Sequence, residues 1–335
     1  MKKQSNKLNI IILVIFSFLV LYFTLKDDFI SVIGNILTIN FGWLLVAVLL
    51  MYGYWHFRAK AYHSIIKNFD KDYTFKRSLS LMLLTQFFNA ITPFASGGQP
   101  LVVLTLKKDG IRGSDGTNIV MQDFITYQIA LIFLATLAVL YNNIFHLFPK
   151  TALLKEIVTL GYLINVAVVV SLFILAFARK FNHWVAKFGI KILNRFNFIK
   201  DKEKTVNKWE NRINRFHDGA KLLFKDKKLF IRLIGYNLIA MLSIYLIPLA
   251  LIFGMGNYNA FSGIESIVAS AYIFLVGSFV PIPGSTGALE FTFIAFFANF
   301  VTGSVLNSVM LVWRLLTYYL GLTVGALVLN FWRSR

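Results

Sequence analysis

The sequence predicts an all-α polytopic membrane protein, with about six full transmembrane helices and two broken, re-entrant helical hairpins arranged as an inverted repeat. Three observations carry this reading. The 335 residues are 57% hydrophobic and 15% charged, too little polar surface for a water-soluble globule. Apolar stretches of spanning length recur, the first being the 18 uncharged positions 8–25. Two Pro/Gly-rich segments interrupt such stretches: Thr92-Pro93-Phe94-Ala95-Ser96-Gly97-Gly98-Gln99-Pro100, and Pro281-Ile282-Pro283-Gly284-Ser285-Thr286-Gly287 closing on Glu290. Hydrocarbon tolerates unpaired backbone only where protein or trapped water satisfies it. A chain that breaks its own helices at membrane depth, twice and in matching places, is building a site there.

The elements follow from hydropathy and charge. Helix 8–25 starts after Lys2, Lys3 and Lys7 and ends at Lys26-Asp27-Asp28. That basic start would also suit a signal peptide, but the run is long and no small-x-small cleavage site follows, so the helix reads as retained. The loop 26–40 is acidic or neutral, hence outside, and helix 41–57 returns. Residues 58–77 carry Arg58, Lys60, Lys67, Lys71, Lys76 and Arg77 and read as a cytoplasmic loop. Segments 78–92 and 99–106 flank the first break, and Lys107, Lys108 and Arg112 follow. Both flanks are then cytoplasmic, and the arms reach about 22 Å and about 12 Å, the dimensions of a hairpin entering from that side.

Helix 118–141 goes out and 157–178 comes back. Residues 179–228 hold 15 Lys/Arg against 5 Asp/Glu and belong inside. Within them Phe181, Trp184, Val185, Phe188, Ile192, Phe196 and Ile199 recur at helical spacing, as do Val206, Trp209, Ile213, Phe216 and Ala220 more loosely. This is the pattern of an amphipathic connector lying on the membrane. Helix 229–253 exits to the uncharged loop 254–264. Segments 265–280 and 287–302 flank the second break, and 306–331 ends at a basic C-terminus. Charge leaves open whether the middle pair is a hairpin entering from outside or two short full spans. The whole reads as one integral membrane domain, 1–335, with halves 8–178 and 229–335 joined by the connector. Both termini are placed in the cytoplasm, and the localisation is the bacterial cytoplasmic membrane.

Composition excludes several functions. The net charge of +19 sits beside apolar spans, where it meets anionic headgroups, and no nucleic-acid motif accompanies it. There is no cysteine, hence no disulfide or thiolate site, and five histidines without a cluster give no metal site. No nucleophile elbow, metalloprotease motif, P-loop or dinucleotide fingerprint is present. No catalytic residue and no cofactor are therefore expected.

Ionisable residues at membrane depth are expensive and point to function. Asp123 lies near the end of its helix, beside Gln122 and with Tyr127 one turn on. Glu290 falls in the first turn after the second break, where the helix dipole favours a carboxylate. Arg314, eight residues into helix 306–331, needs a carboxylate or phosphate partner, and a mutual pair with Glu290 would supply one. His56 and Arg58 read as residues snorkelling to the interface. Gly97, Gly98, Gly284 and Gly287 permit tight turns, and such turns before a helix also offer N–H groups to a phosphate. Gly321 and Gly325 read as a packing face.

The two Pro/Gly segments resemble the signature regions of the lysylphosphatidylglycerol synthase transmembrane-region family, whose members are flippase-like. The family pattern is near N-x-x-T-P-F-x-x-G-G-E-P, then P-x-P-G-G-x-G-x-x-E. Asn89, Thr92, Pro93, Phe94, Gly97, Gly98 and Pro100 match the first, and Pro281, Pro283, Gly284, Gly287 and Glu290 the second. Gln99 stands where the family has Glu, and Ser285 where it has a second Gly, so charge at position 99 is lost.

The resemblance implies a lipid flippase or transporter for an aminoacylated or other phosphate-bearing lipid such as lysylphosphatidylglycerol, contributing to envelope charge and cationic-peptide resistance. Large family members add a soluble lysyltransferase domain, for which these residues leave no room. The alternatives are a lipid-modifying transferase and a scaffold for a separate lipid synthase. Expected substrate-binding residues are Thr92, Ser96, Gly97, Gly98, Gln99, Asp123, Pro283, Gly284, Ser285, Glu290 and Arg314. Expected partners are membrane phospholipid, a separate lipid synthase or a second copy of the chain, and no nucleic acid.

Overall fold

A computed structural model describes residues 29–148, 152–178, 180–182, 184, 188 and 202–333. The expected first helix, 8–25, lies outside these residues, as does most of the amphipathic pattern between 185 and 199. The described residues form helices α1 (Phe29–Leu37), α2 (Phe41–Ile66), α3 (Phe75–Ala90), α4 (Gly98–Lys108), α5 (Gly113–Phe145), α6 (Ala152–Phe177) and α7 (Lys202–Lys225). There follow α8 (Lys227–Tyr245), α9 (Ile247–Gly254), α10 (Gly263–Gly277), α11 (Ala288–Phe297), α12 (Gly303–Arg314) and α13 (Leu320–Arg333). No strand occurs among them. The protein is an all-α polytopic membrane protein.

Polar caps set several helix starts. Asn40 accepts from the N–H groups of Gly42 and Trp43 to begin α2. Thr74 caps α3 and Asp226 caps α8. Ser262 and Glu265 close a reciprocal capping box at α10. Four helical stretches are long and apolar enough to cross a membrane: α5, α6, α8 with α9, and α12 with α13. A fifth is α1 with α2, bent by 87° at the Asn40 cap.

Three boundaries differ from the sequence reading. Part of the expected outer loop, 26–40, is helix α1, whose Leu37 is 80% exposed as befits a lipid-facing side chain. Helix α2 continues to Ile66 instead of stopping at 57, which carries Arg58 into the interior. The span expected at 229–253 is one crossing stretch, Lys227–Gly254, within which Pro248 interrupts the ladder and divides the helix into α8 and α9. The Tyr245 carbonyl at that junction accepts from the Ser266 and Ser270 hydroxyls, at 2.9 and 3.0 Å. Broken backbone at depth is thus satisfied by serine side chains. The looser pattern falls on helix α7, where Ile213 and Ala220 are buried and Trp209 is 45% exposed.

Both Pro/Gly segments join packed helical arms, α3 to α4 and α10 to α11. With 15 residues in α10 and 10 in α11, those arms reach about 22 and 15 Å, short of the roughly 30 Å hydrocarbon core. Each break is a single 3-10 turn opening on proline, Pro93–Ala95 and Pro283–Ser285. The second residue of each is left-handed, Phe94 at φ 54° and Gly284 at φ 63°, and so is the third, Ala95 at 49° and Ser285 at 50°. Left-handed φ at three non-glycine positions costs energy, so the surrounding structure must hold it. The two turns pack against each other.

Apolar packing is divided. One cluster gathers Met51, Ala130, Leu134 and Ala138 with α9–α12. The other gathers Ala59 to Ile66, Ile119 and Ile125 with α3, α4 and the start of α8. On α2 the change of cluster falls at the buried Arg58; on α5 it falls between Ile125 and Ala130, within two turns of the buried Asp123.

Candidate functional site: a polar cavity between the two breaks

At this seam lies a cavity of about 560 Å³, within the usual range for a small-molecule site. Ser96 and Gln99 from the first break line it, with Gly284 and Ser285 from the second. Arg58, Asp123 and Arg314 complete its charged wall.

Two arginine–carboxylate pairs form this wall, built alike from different elements. Arg58 on α2 engages Asp123 on α5 bidentately, Nη1 to Oδ1 at 3.0 Å and Nη2 to Oδ2 at 2.9 Å. Nη1 also donates to Asn237 Oδ1 on α8, and the Asn237 amide donates to Thr126. Arg314, at the end of α12, donates from Nε to Glu290 Oε1 at 2.6 Å and from Nη2 to the Gly284 carbonyl at 3.1 Å. Each guanidinium stands 4.6 Å from a tyrosine ring centroid, Tyr127 for Arg58 and Tyr318 for Arg314. All four charged residues are at most 9% exposed. Pairing and extra hydrogen bonds offset the desolvation that burial imposes on them. The expected Glu290–Arg314 pair is present. Arg58, expected at the interface, is buried instead, because the extra turns of α2 bring it to Asp123.

Local geometry explains why Arg314 points inward. Immediately after it, residues Leu315–Tyr319 form a π turn, a distortion found mostly at functional sites. Tyr318 in that turn donates to the Ala90 carbonyl at 3.2 Å, tying the last span to the first break. Its ring also fills the space beside Gly284, where any Cβ would collide with it. Glycine is needed at 284 on both counts, left-handed φ and close approach.

The remaining expected residues are divided by the fold. Ser96, Gln99, Asp123, Gly284, Ser285 and Arg314 line the cavity, while Thr92, Gly97, Gly98, Pro283 and Glu290 stand behind its wall. Thr92 Oγ1 accepts from Gly97 N at 2.9 Å, and Asn89 Oδ1 accepts from Gly98 N at 2.9 Å. Gly287 N donates to Glu290 Oε2 at 2.8 Å. Three of the four glycine N–H groups expected to cradle a phosphate, those of Gly97, Gly98 and Gly287, are therefore already engaged within the chain. The sequence reading also passed over Tyr54, Gln86, Gln128, Asn165 and Thr317, which line the cavity. Gln128 and Asn165 sit inside otherwise apolar spans, and that contrast was the available signal.

Among the described residues no group of three or more His, Cys, Asp or Glu could hold a metal ion. Residues 9–325 match the family model described as "Lysylphosphatidylglycerol synthase TM region". The chain is also similar to a "UPF0104 membrane protein" of Archaeoglobus fulgidus. The two are 24% identical over 317 residues, covering 87% of this chain and 87% of the relative.

Proposed function

Because the chain belongs to the lysylphosphatidylglycerol synthase TM region family, we propose that it is a lipid flippase, moving a phosphate-bearing lipid across the cytoplasmic membrane. The observation that supports this best is the shared cavity: both helix breaks and both arginine–carboxylate pairs meet around one space of about 560 Å³. A lipid headgroup needs a polar enclosure at depth, while its chains stay in hydrocarbon.

In this reading Arg314 takes the phosphate. Its Nε is committed to Glu290 and one Nη to Gly284, and these two contacts fix the direction of its remaining N–H groups. Glu290 acts through Arg314, as a positioning residue, and does not itself meet the headgroup. Asp123 takes an amine such as that of a lysyl headgroup, in competition with Arg58. Ser96, Gln99 and Ser285 supply neutral hydrogen bonds. With two guanidinium groups against two carboxylates the wall carries little net charge, so a headgroup bearing both signs is matched better than a bare anion. The paired, oppositely entering hairpins of an inverted repeat would let the cavity open to either side in turn.

Liposome reconstitution with fluorescent lysylphosphatidylglycerol tests this. Transbilayer movement should exceed that of protein-free vesicles, and Arg314→Gln should slow it about 10- to 100-fold, the worth of a charge-assisted hydrogen bond. Movement no faster than in empty vesicles, across several phosphate-bearing lipids, overturns the proposal.

A further inference from the structure

A second, smaller cavity lies away from the first, where the end of α2 meets the start of α8. It holds about 330 Å³ and is lined by His63, Ser64, Lys67, Asn68, Asp226, Lys228, Leu229 and Arg232. We propose that this pocket is a binding site for the phosphate of an acidic phospholipid, separate from the transport cavity.

Charge is the first support. Lys67, Lys228 and Arg232 face a single carboxylate, Asp226, and that carboxylate is engaged in capping α8 through Leu229 N at 2.9 Å. None of the three cations has an ion-pair partner among the described residues. The 19-residue helix α8 begins at the pocket and adds the positive end of its dipole. Ser64 and Asn68 offer neutral hydrogen bonds beside the cations. His63 is held by Ser78, Nδ1 to Oγ at 3.1 Å, which fixes its ring at the pocket edge.

Position is the second support, and it favours a lipid over free phosphate as the carrier. The pocket sits at the ends of two candidate membrane-crossing stretches, α2 and α8, where headgroups lie. An apolar track leads away from it along α8. Ile231 is 68% exposed and Ile239 43% exposed. Between them, at the same i+4 spacing, Gly235 has nothing within 4 Å of where a Cβ would stand. Ile231, Gly235 and Ile239 thus leave a shallow open strip on one helix face. An acyl chain can lie there while its phosphate reaches Lys228 and Arg232, which are themselves one turn apart. Basic pockets between spanning helices recognise anionic lipids by this combination.

Native mass spectrometry of the full-length protein, exchanged into mild detergent with phosphatidylglycerol or phosphatidylcholine, tests the assignment. Retained phosphatidylglycerol should exceed phosphatidylcholine. Its affinity should fall about fivefold for each cation neutralised in Lys67→Gln, Lys228→Gln and Arg232→Gln. These side chains are exposed, so the variants should fold, which their thermal unfolding checks. Arg314→Gln, its folding checked in the same way, removes the Arg314 donors from the transport cavity and should leave this lipid in place. Unchanged affinity in the triple variant overturns the site. Displacement of the lipid by millimolar inorganic phosphate overturns the lipid assignment. Loss only in Arg314→Gln would place the lipid in the other cavity and equally overturn the proposal.

Discussion

Arg58 and Arg314 each illustrate how a buried charge is made tolerable, and how costly it is to undo. Arg58 has Asp123, Asn237 and the Tyr127 ring; Arg314 has Glu290, the Gly284 carbonyl and the Tyr318 ring. Removing one partner leaves the other charge buried and unpaired. Arg58→Gln should therefore destabilise the protein by about 3–5 kcal/mol, read as thermal unfolding in detergent. The double variant Arg58→Gln, Asp123→Asn should recover much of that loss, because it leaves hydrogen-bonding groups and no charge. Equal loss in single and double variants would mean the pair is not the source of stability. Of the two pairs only the second was legible in the sequence. Glu290 and Arg314 both lie inside apolar stretches in one half of the chain. Arg58 stands next to Lys60 and resembles the start of a loop, and its partner is 65 residues away. Local pattern cannot reveal a pairing made by the packing of α2, α5 and α8.

Among the elements, the last span shows two glycines doing different work. The Gly321-x-x-x-Gly325 spacing predicts a packing face, and α13 does pack along α3. A Cβ at Gly325 would lie 2.6 Å from the Leu83 carbonyl and 2.7 Å from Phe87 Cβ. At Gly321 the nearest atom is Trp55 Cζ2 at 4.0 Å, and the residue faces the cavity. Gly325→Ala should accordingly force α13 off α3 and destabilise the protein by about 1–3 kcal/mol, whereas Gly321→Ala should be near neutral. Thermal unfolding of the two variants side by side decides it, and a tolerated Gly325→Ala would show that this contact can relax. The all-helical class, several spanning stretches and both breaks were readable because hydropathy and proline positions are local properties. The π turn after Arg314 and the division of 229–253 at Pro248 were less so. One depends on a tertiary demand for Arg314 and Tyr318, the other on Ser266 and Ser270 being present to donate to the freed Tyr245 carbonyl.

At the scale of the whole molecule, what matters is that two breaks 190 positions apart in sequence reach one space, Pro93 answering to Pro283. The sequence reading placed the hairpins as entering from opposite faces, which treats each break as belonging to its own side. Their mutual packing, with Tyr318 bridging to Ala90, brings the two breaks to one wall. Solvent access to the first break should then be shared by the second. The chain has no cysteine, so single reporters can be introduced cleanly. Ser96→Cys and Ser285→Cys, each on the cavity wall, should react with a membrane-impermeant thiol reagent in sealed proteoliposomes. Because both face one cavity, the ratio of inside to outside labelling should be the same for the two, whatever its value in a given lipid. A phosphate-bearing lipid that occupies the cavity should protect both together, with Arg314→Gln abolishing the protection. Opposite sidedness of the two cysteines would mean that each hairpin opens only to its own face, and a single alternating cavity could not then account for transport.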